Sequence, residues 1–167
     1  MLARLHDGTP IRIRPISPDD KPLLEDGLEH LSDETIRRRF LAPKPRFTAA
    51  DLRYLTEVDG TDHYALVAVH DDDPGELAGV GRWVRDAADP ASAELAVVVA
   101  DALQGQGLGT ALGFALADAA RERGVRELTA TMLADNEPAH RLLAAITRRL
   151  QVRHDGPTDE LSGELAA

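Results

Sequence analysis

The chain has 167 residues, enough for one compact domain with a real core; 29% are charged and the formal net charge is -10. That acidity argues against nucleic acid as the main partner, and the lack of cysteine excludes disulfides, thiolate metal sites and a cysteine nucleophile. No apolar run approaches the ~18 residues of a membrane span and Met1 to Asp7 lacks a signal-peptide core, so a cytoplasmic protein without a membrane partner, one domain over 1–167, is expected.

Ile11-Arg12-Ile13-Arg14-Pro15-Ile16 alternates apolar and polar residues, which predicts a strand. Ser17-Pro18-Asp19-Asp20 then supplies a capping residue, a proline suited to a first helical turn and two acids that favour a helix N-terminus. This helix should run to about Leu31. Ser32-Asp33-Glu34 opens a second, short helix through Phe40 that carries Arg37, Arg38 and Arg39. Those arginines read either as a solvated, internally paired face or as the wall of an acceptor site. Pro43 to Phe47 is a proline loop, and Thr48-Ala49-Ala50-Asp51 caps a third helix bearing Leu52 and Leu55 that Glu57 to Gly60 ends. His63–His70 and Glu76–Arg85 form a predicted hairpin around Asp71-Asp72-Asp73-Pro74-Gly75. The triple aspartate lacks the spacing and the closing glutamate of a calcium loop, so it reads as a solvated turn.

After a second turn at Asp86–Pro90, the stretch from Glu94 to Arg123 organises the rest. Ala96 to Ala100 is a valine-rich run, the pattern of a strand covered on both faces. Gln104-Gly105-Gln106-Gly107-Leu108-Gly109-Thr110 follows, and then Leu112, Ala115, Leu116 and Ala119 recur at helical spacing with Asp118, Arg121 and Glu122 off that face. A glycine turn that opens a helix favours an anion, because the first-turn N–H groups lack intrahelical partners and the dipole adds positive charge. Pyrophosphate is the natural ligand. A Walker A loop would need Gly-Lys-Ser/Thr, and no lysine lies here; the glycine spacing also misses the dinucleotide fingerprint. A tight turn with no ligand remains the other reading.

Gly124 stops the helix, Glu127–Leu133 is a further strand, and Asp135-Asn136-Glu137-Pro138 starts a helix with an apolar stripe of Ala139, Leu142, Leu143, Ile146 and Leu150. Gln151–His154 and Asp159–Leu165 are weak strands around Asp155-Gly156-Pro157. The order of elements predicts an α/β domain with a mixed sheet. None of the six histidines is spaced from another like a zinc pair, so no metal is expected, and His140 reads as a surface side chain before it reads as a catalytic acid.

Val97-Val98-Val99 followed by Gln104-Gly105-Gln106-Gly107-Leu108-Gly109-Thr110 resembles the acetyl-CoA signature Q/R-x-x-G-x-G/A of the GCN5-related N-acetyltransferases, with Gln104, Gly107 and Gly109 at its defined places. Arg12–Ile16, Leu31-Ser32, Arg38-Arg39-Phe40 and Glu94–Val99 further resemble the catalytic domain of bacterial protein lysine acetyltransferases. The resemblance covers nearly the whole chain. It implies the GNAT fold, a twisted, largely antiparallel mixed sheet flanked by helices. It implies acetyl-CoA as cosubstrate, bound by Val97, Val98, Val99, residues 104–110 and Asn136, and an amine acceptor such as a lysine of an acyl-CoA synthetase or another metabolic enzyme. It implies Glu94 as the general base, with backbone N–H groups around Val97 and Val98 serving the oxyanion. Glu94 is expected at the head of its strand, sharing a face with Ala96 and Val98, where a carboxylate must be paired or near water; a strand-end glutamate at the solvent rim is the other reading. Many members carry a tyrosine seven residues after the asparagine, to protonate the leaving thiolate; here that place is Leu143, and Leu150-Gln151-Val152 stands where Leu-Gly-Phe is customary. Asn136 either contacts the coenzyme arm or only caps its helix. A small-molecule amine acetyltransferase and a non-catalytic acetyl-CoA sensor stay open as alternatives, as does the oligomeric state.

Overall fold

The computed structural model describes residues 1–44 and 46–166. Pro45, within the predicted proline loop, and Ala167 lie outside the described residues. The elements in chain order are β1 (Leu2–Arg4), β2 (Pro10–Pro15), α1 (Lys21–Glu29), α2 (Asp33–Phe40), α3 (Ala49–Thr56), β3 (His63–His70), β4 (Leu77–Arg85), β5 (Ser92–Val99), α4 (Leu108–Glu122), β6 (Glu127–Leu133), α5 (Glu137–Ile146), β7 (Arg148–Asp155) and β8 (Thr158–Glu164). The strands form one sheet in the order β1-β2-β3-β4-β5-β6-β8-β7. Every pairing is antiparallel except β5 with β6, which α4 connects as a crossover.

Strand alternation splits the apolar residues into two cores, one per face. On one face Ile11, Ile13, Leu66, Trp83 and Leu95 pack against Leu108, Leu112 and Leu116 of α4. Gly81 permits this approach: a Cβ there would lie 2.6 Å from Leu116 Cδ1. On the other face Ile16, Ala65, Val67 and Val80 pack against Leu24 of α1 and Leu52 and Leu55 of α3.

Four expectations change. The sequence pattern did not signal β1, a short edge strand that pairs Leu2 with Arg12. The first predicted helix opens as a 3-10 turn, Pro18–Asp20, and α1 begins only at Lys21. Asp20 turns back to accept from Ser17 N at 2.8 Å and from both Arg14 terminal nitrogens at 2.8 and 2.7 Å, so its carboxyl is held below the usual range chiefly by Arg14. Leu150, expected in the stripe of α5, belongs instead to β7: Thr147 is extended, its hydroxyl donates to Leu143 O at 2.6 Å, and β7 starts at Arg148 with a register shift before Gln151. The valines of β5 are not covered on both faces. Ala93 and Leu95 are buried, but Ala96 to Val99 are only half-buried, because β6 pairs with β5 only from Ser92 to Glu94 and then diverges.

Candidate active site

That divergence makes the site. Beyond Glu94 one edge of β5 has no strand partner, and a cleft of about 510 Å³ opens, walled by Val97, Val98 and Val99, by Ala130 and Met132 of β6, and by Asn136 and Leu142. The volume falls in the range of small-molecule sites. Ala100 N donates to Ala78 O of β4 at 2.9 Å. Strand amides alternate sides, so Val98 and Ala96 bond to β4 while the N–H and C=O groups of Val97 and Val99 point away from it. The Val98 N–H, expected to serve an oxyanion, is thus taken up by β4 while those of Val97 and Val99 are not, and the Val98 side chain packs with the core on the opposite face.

The floor of the cleft is the N-terminus of α4. Gly107 is its N-cap at φ +92°, a left-handed conformation that glycine adopts without a Cβ penalty, and Gly105 is likewise at φ +75°. No side chain among the described residues caps this helix. Leu108 is fully buried and anchors the turn, while Gly105, Gly107, Gly109 and Thr110 face the cleft. Unused N–H groups, the helix dipole and glycines that expose the backbone fit a pyrophosphate. Gln106 faces another way: its carbonyl accepts from His6 N at 3.1 Å, which brings the His6 ring against Gly107.

Gln104 ties the turn together. Its Nε2 donates to Val99 O and to Thr35 Oγ1, both at 3.1 Å. Asp101 accepts from Ser32 N at 2.9 Å, Ser32 Oγ at 2.6 Å and Thr35 Oγ1 at 2.7 Å. These bonds pin the N-terminus of α2 to the segment that leads into the glycine turn. The sequence reading missed this clasp, because Ser32 and Asp101 look like ordinary cap and turn residues.

Glu94 lies where β5 and β6 part, opposite Val84 and Thr129, and shares a face with Ala96 and Val98 as expected. Glu94 is the third residue of β5 and not its head, and it is exposed, the solvent-rim position that was the other reading. It does not line the cleft; it stands on the other face of β5, where an apolar cavity of about 50 Å³ opens among Leu28, Phe47, Val80, Ala96 and Val98.

The three arginines of α2 divide. Arg37 is exposed, Arg38 pairs with Glu34 at 2.7 Å, and Arg39 turns inward against the Phe40 ring, 4.9 Å from its centroid, and borders both the cleft and the smaller cavity. Arg82 joins it from β4. Arg82 is 5% exposed; its Nη1 donates to Leu55 O at 3.0 Å and to His63 Nε2 at 2.9 Å. An arginine only donates, so His63 accepts through Nε2 and carries its proton on Nδ1. Burial, then Arg82, push His63 down to about 4, and burial, then repulsion from Arg39, push Arg82 down to about 9. Arg82 was overlooked, although a charge inside the apolar strand Val80-Gly81-Arg82-Trp83-Val84 was a visible signal.

Asn136 caps α5, accepting from Ala139 N at 3.4 Å, and is buried at the cleft wall. Leu143, at the place of the tyrosine, is fully buried. His140 is not a free surface side chain: it contacts Asn136 O at 2.8 Å and Asp159 at 2.9 Å, tying α5 to β8. No group of metal-binding side chains is present among the described residues, and no helix there is long and apolar enough to cross a membrane.

Residues 27–146 match the model of the acetyltransferase (GNAT) family. Acetyltransferase Pat of Mycolicibacterium smegmatis is 34% identical over 131 residues, 78% of this chain, and the chain spans only 39% of that relative's length. Acetyltransferase PA5475 of Pseudomonas aeruginosa is 32% identical over 85% of this chain and 76% of its own length. The solved GNAT domain of S. lividans PAT superposes with a TM-score of 0.87 at 33% identity, over 99% of this chain and 96% of that one.

Proposed function

This chain belongs to the acetyltransferase (GNAT) family, and from that premise we propose that it moves an acetyl group from acetyl-CoA to a primary amine, a protein lysine in the first instance, with Glu94 as general base. The observation that carries the reading is the parting of β5 from β6 above the uncapped, glycine-led N-terminus of α4. Residues 104–110 hold the pyrophosphate there, and the free edge of β5 aligns the pantetheine arm by strand-like bonds from Val97 and Val99, beside buried Asn136. Acetyl-CoA supplies an activated thioester.

The acceptor ammonium must first lose a proton, since a lysine amine has an unperturbed pKa near ~10.4. Glu94 takes it, directly or through one water, on the side of β5 away from the cleft. The neutral amine then forms the N–C bond, the nitrogen of the tetrahedral intermediate gives its extra proton to water, the C–S bond breaks, and coenzyme A leaves as a thiolate that takes a proton back from water, Leu143 standing where the usual acid would be. The N–H of Val97 stabilises the developing oxyanion, and the fixed strand costs no reorganisation in doing so. The similarity to Pat supports a protein lysine as acceptor. One observation favours a small amine instead: the cavity beside Glu94 is small and largely apolar.

The test is acetyl-CoA turnover by the purified protein with lysine peptides, for wild type and Glu94→Gln. General-base catalysis is worth about 10²–10⁴-fold, and the exposure of Glu94 lets solvent substitute in part, so kcat should fall about 10²-fold, less at high pH. Wild-type kcat in the variant across neutral pH refutes the role of Glu94, and failure to acetylate any amine refutes the activity.

A further inference from the structure

Beside Glu94 the protein sets one buried and one half-buried cation without a buried anion for them. Arg82 is 5% exposed and its two described hydrogen-bond partners, Leu55 O and His63 Nε2, are neutral. Arg39 packs on the Phe40 ring, and no carboxylate among the described residues comes within ion-pair distance of either guanidinium. Both border the same small cavity, whose remaining walls are largely aliphatic and aromatic. A buried charge is ordinarily paired, and two like charges side by side are costlier still. Burial, and then repulsion from Arg39, lowers the affinity of Arg82 for its proton, and burial does the same to Arg39. The carboxylate that acts electrostatically on Arg39 is Glu94, exposed and not hydrogen-bonded to it. His63 cannot help as an anion, and its neutral state is what lets it accept from Arg82.

We propose that Arg39 and Arg82 form an anion subsite that takes a carboxylate belonging to the acceptor, so that the preferred acceptor is a primary amine bearing a carboxylate nearby. The inference rests on the acetyltransferase reading. Arg39 borders both the cavity and the coenzyme cleft, which places the subsite at the junction that an acceptor must occupy to reach the thioester. A carboxylate there satisfies both guanidinium groups, and the amine of the same molecule is left beside Glu94. A free cationic amine without such a group would instead meet two positive charges. The carboxylate has two sources, a free amino acid or an acidic residue next to a lysine in a peptide.

The experiment compares matched acceptors that differ in one charge. One arm uses δ-aminovalerate against its amide; the other uses blocked Asp-Lys against blocked Asn-Lys peptides. Wild type should prefer the carboxylate member of at least one pair by about 10- to 100-fold in kcat/KM, the worth of charge-assisted hydrogen bonds. The arm that shows the preference identifies the source. Arg39→Gln should collapse that ratio toward one, and Arg82→Lys, which keeps the charge should Arg82→Gln fail to fold, should reduce it. A merely structural role for these arginines would slow both members of a pair alike and leave the ratio standing. Equal kcat/KM within both pairs in wild type, or a ratio unchanged in Arg39→Gln, overturns the subsite while the acetyltransferase reading stands. No turnover of any of the four acceptors, together with none of lysine peptides, defeats the acetyltransferase reading itself.

Discussion

Replacing Gly107 by alanine tests the coenzyme site and the local conformation together. Gly107 sits at φ +92° and ψ -1°. A side chain in the left-handed region costs roughly 1–2 kcal/mol, and φ at this value lies beyond the well that L-residues use, so the upper part of that range applies. The added Cβ would also fall 2.9 Å from His6 Nε2, closer than real contacts allow. His6 is exposed and is fixed here through its backbone N–H to Gln106 O, so its ring can swing aside at little cost. The strain therefore dominates, and a loss of about 2 kcal/mol corresponds to a Tm drop of roughly 4–8 °C in a protein of this size. If the turn relieves the strain by taking negative φ, the first-turn N–H groups of α4 leave the pyrophosphate position, and coenzyme A affinity should fall at least ~10-fold. Calorimetric titration with coenzyme A and thermal melts measure the two effects separately. Gly109→Ala is the control for stability. Gly109 lies inside α4 without positive φ, and its Cβ would meet Val99 Cγ2 at an ordinary 3.7 Å, so that variant should melt no lower than wild type. A Gly107→Ala protein that melts as wild type does and binds coenzyme A equally well would show that neither the left-handed cap nor the anion site is as described.

Two further outcomes are expected. Asp101→Ala removes three accepted bonds from Ser32 and Thr35, should cost about 1–2 kcal/mol in urea unfolding, and should speed amide hydrogen exchange in residues 33–40 more than in α4; unchanged exchange in α2 would mean the clasp does not hold it. His63 is held at about 4 in the fold against 6.5 when free, so the unfolded chain binds the extra proton first. Stability is fully present above about 6.5 and declines as pH falls toward about 4, by an amount reduced by the partial exposure of the ring; His63→Gln keeps an acceptor for Arg82 and should flatten that part of the pH–stability profile, and an unchanged profile would be contrary evidence.

Much of the molecule was legible from local spacing. The glycine turn, the stripe of α4, the caps at Ser32 and Thr48 and the hairpin of β3 and β4 depend on residues within a few positions of one another, and short-range sterics and hydrogen bonds determine them. The glycine turn marked Gly107 as an anion site for the same reason, whereas Gln104 and Glu94 were singled out by the resemblance to the acetyltransferase signature. The extent of covering could not. Val97 and Val99 spell a buried strand, and only the divergence of β6 after Thr129 opens their edge to a ligand. Glu94 is exposed on the face of β5 that carries Ala96 and Val98 although Thr129 still pairs with it, which no pattern within β5 encodes. The clasp between Ser32 and Asp101 joins residues 69 apart, and Arg39 shares a cavity with Arg82 only because α2 folds back over β5 and β6. Such meetings depend on how helices seat on the sheet, a balance of packing over the whole core. For that reason the chain's own letters identify the glycine turn and its fit to an anion, and the tertiary structure alone decides which charges border the cleft and the smaller cavity.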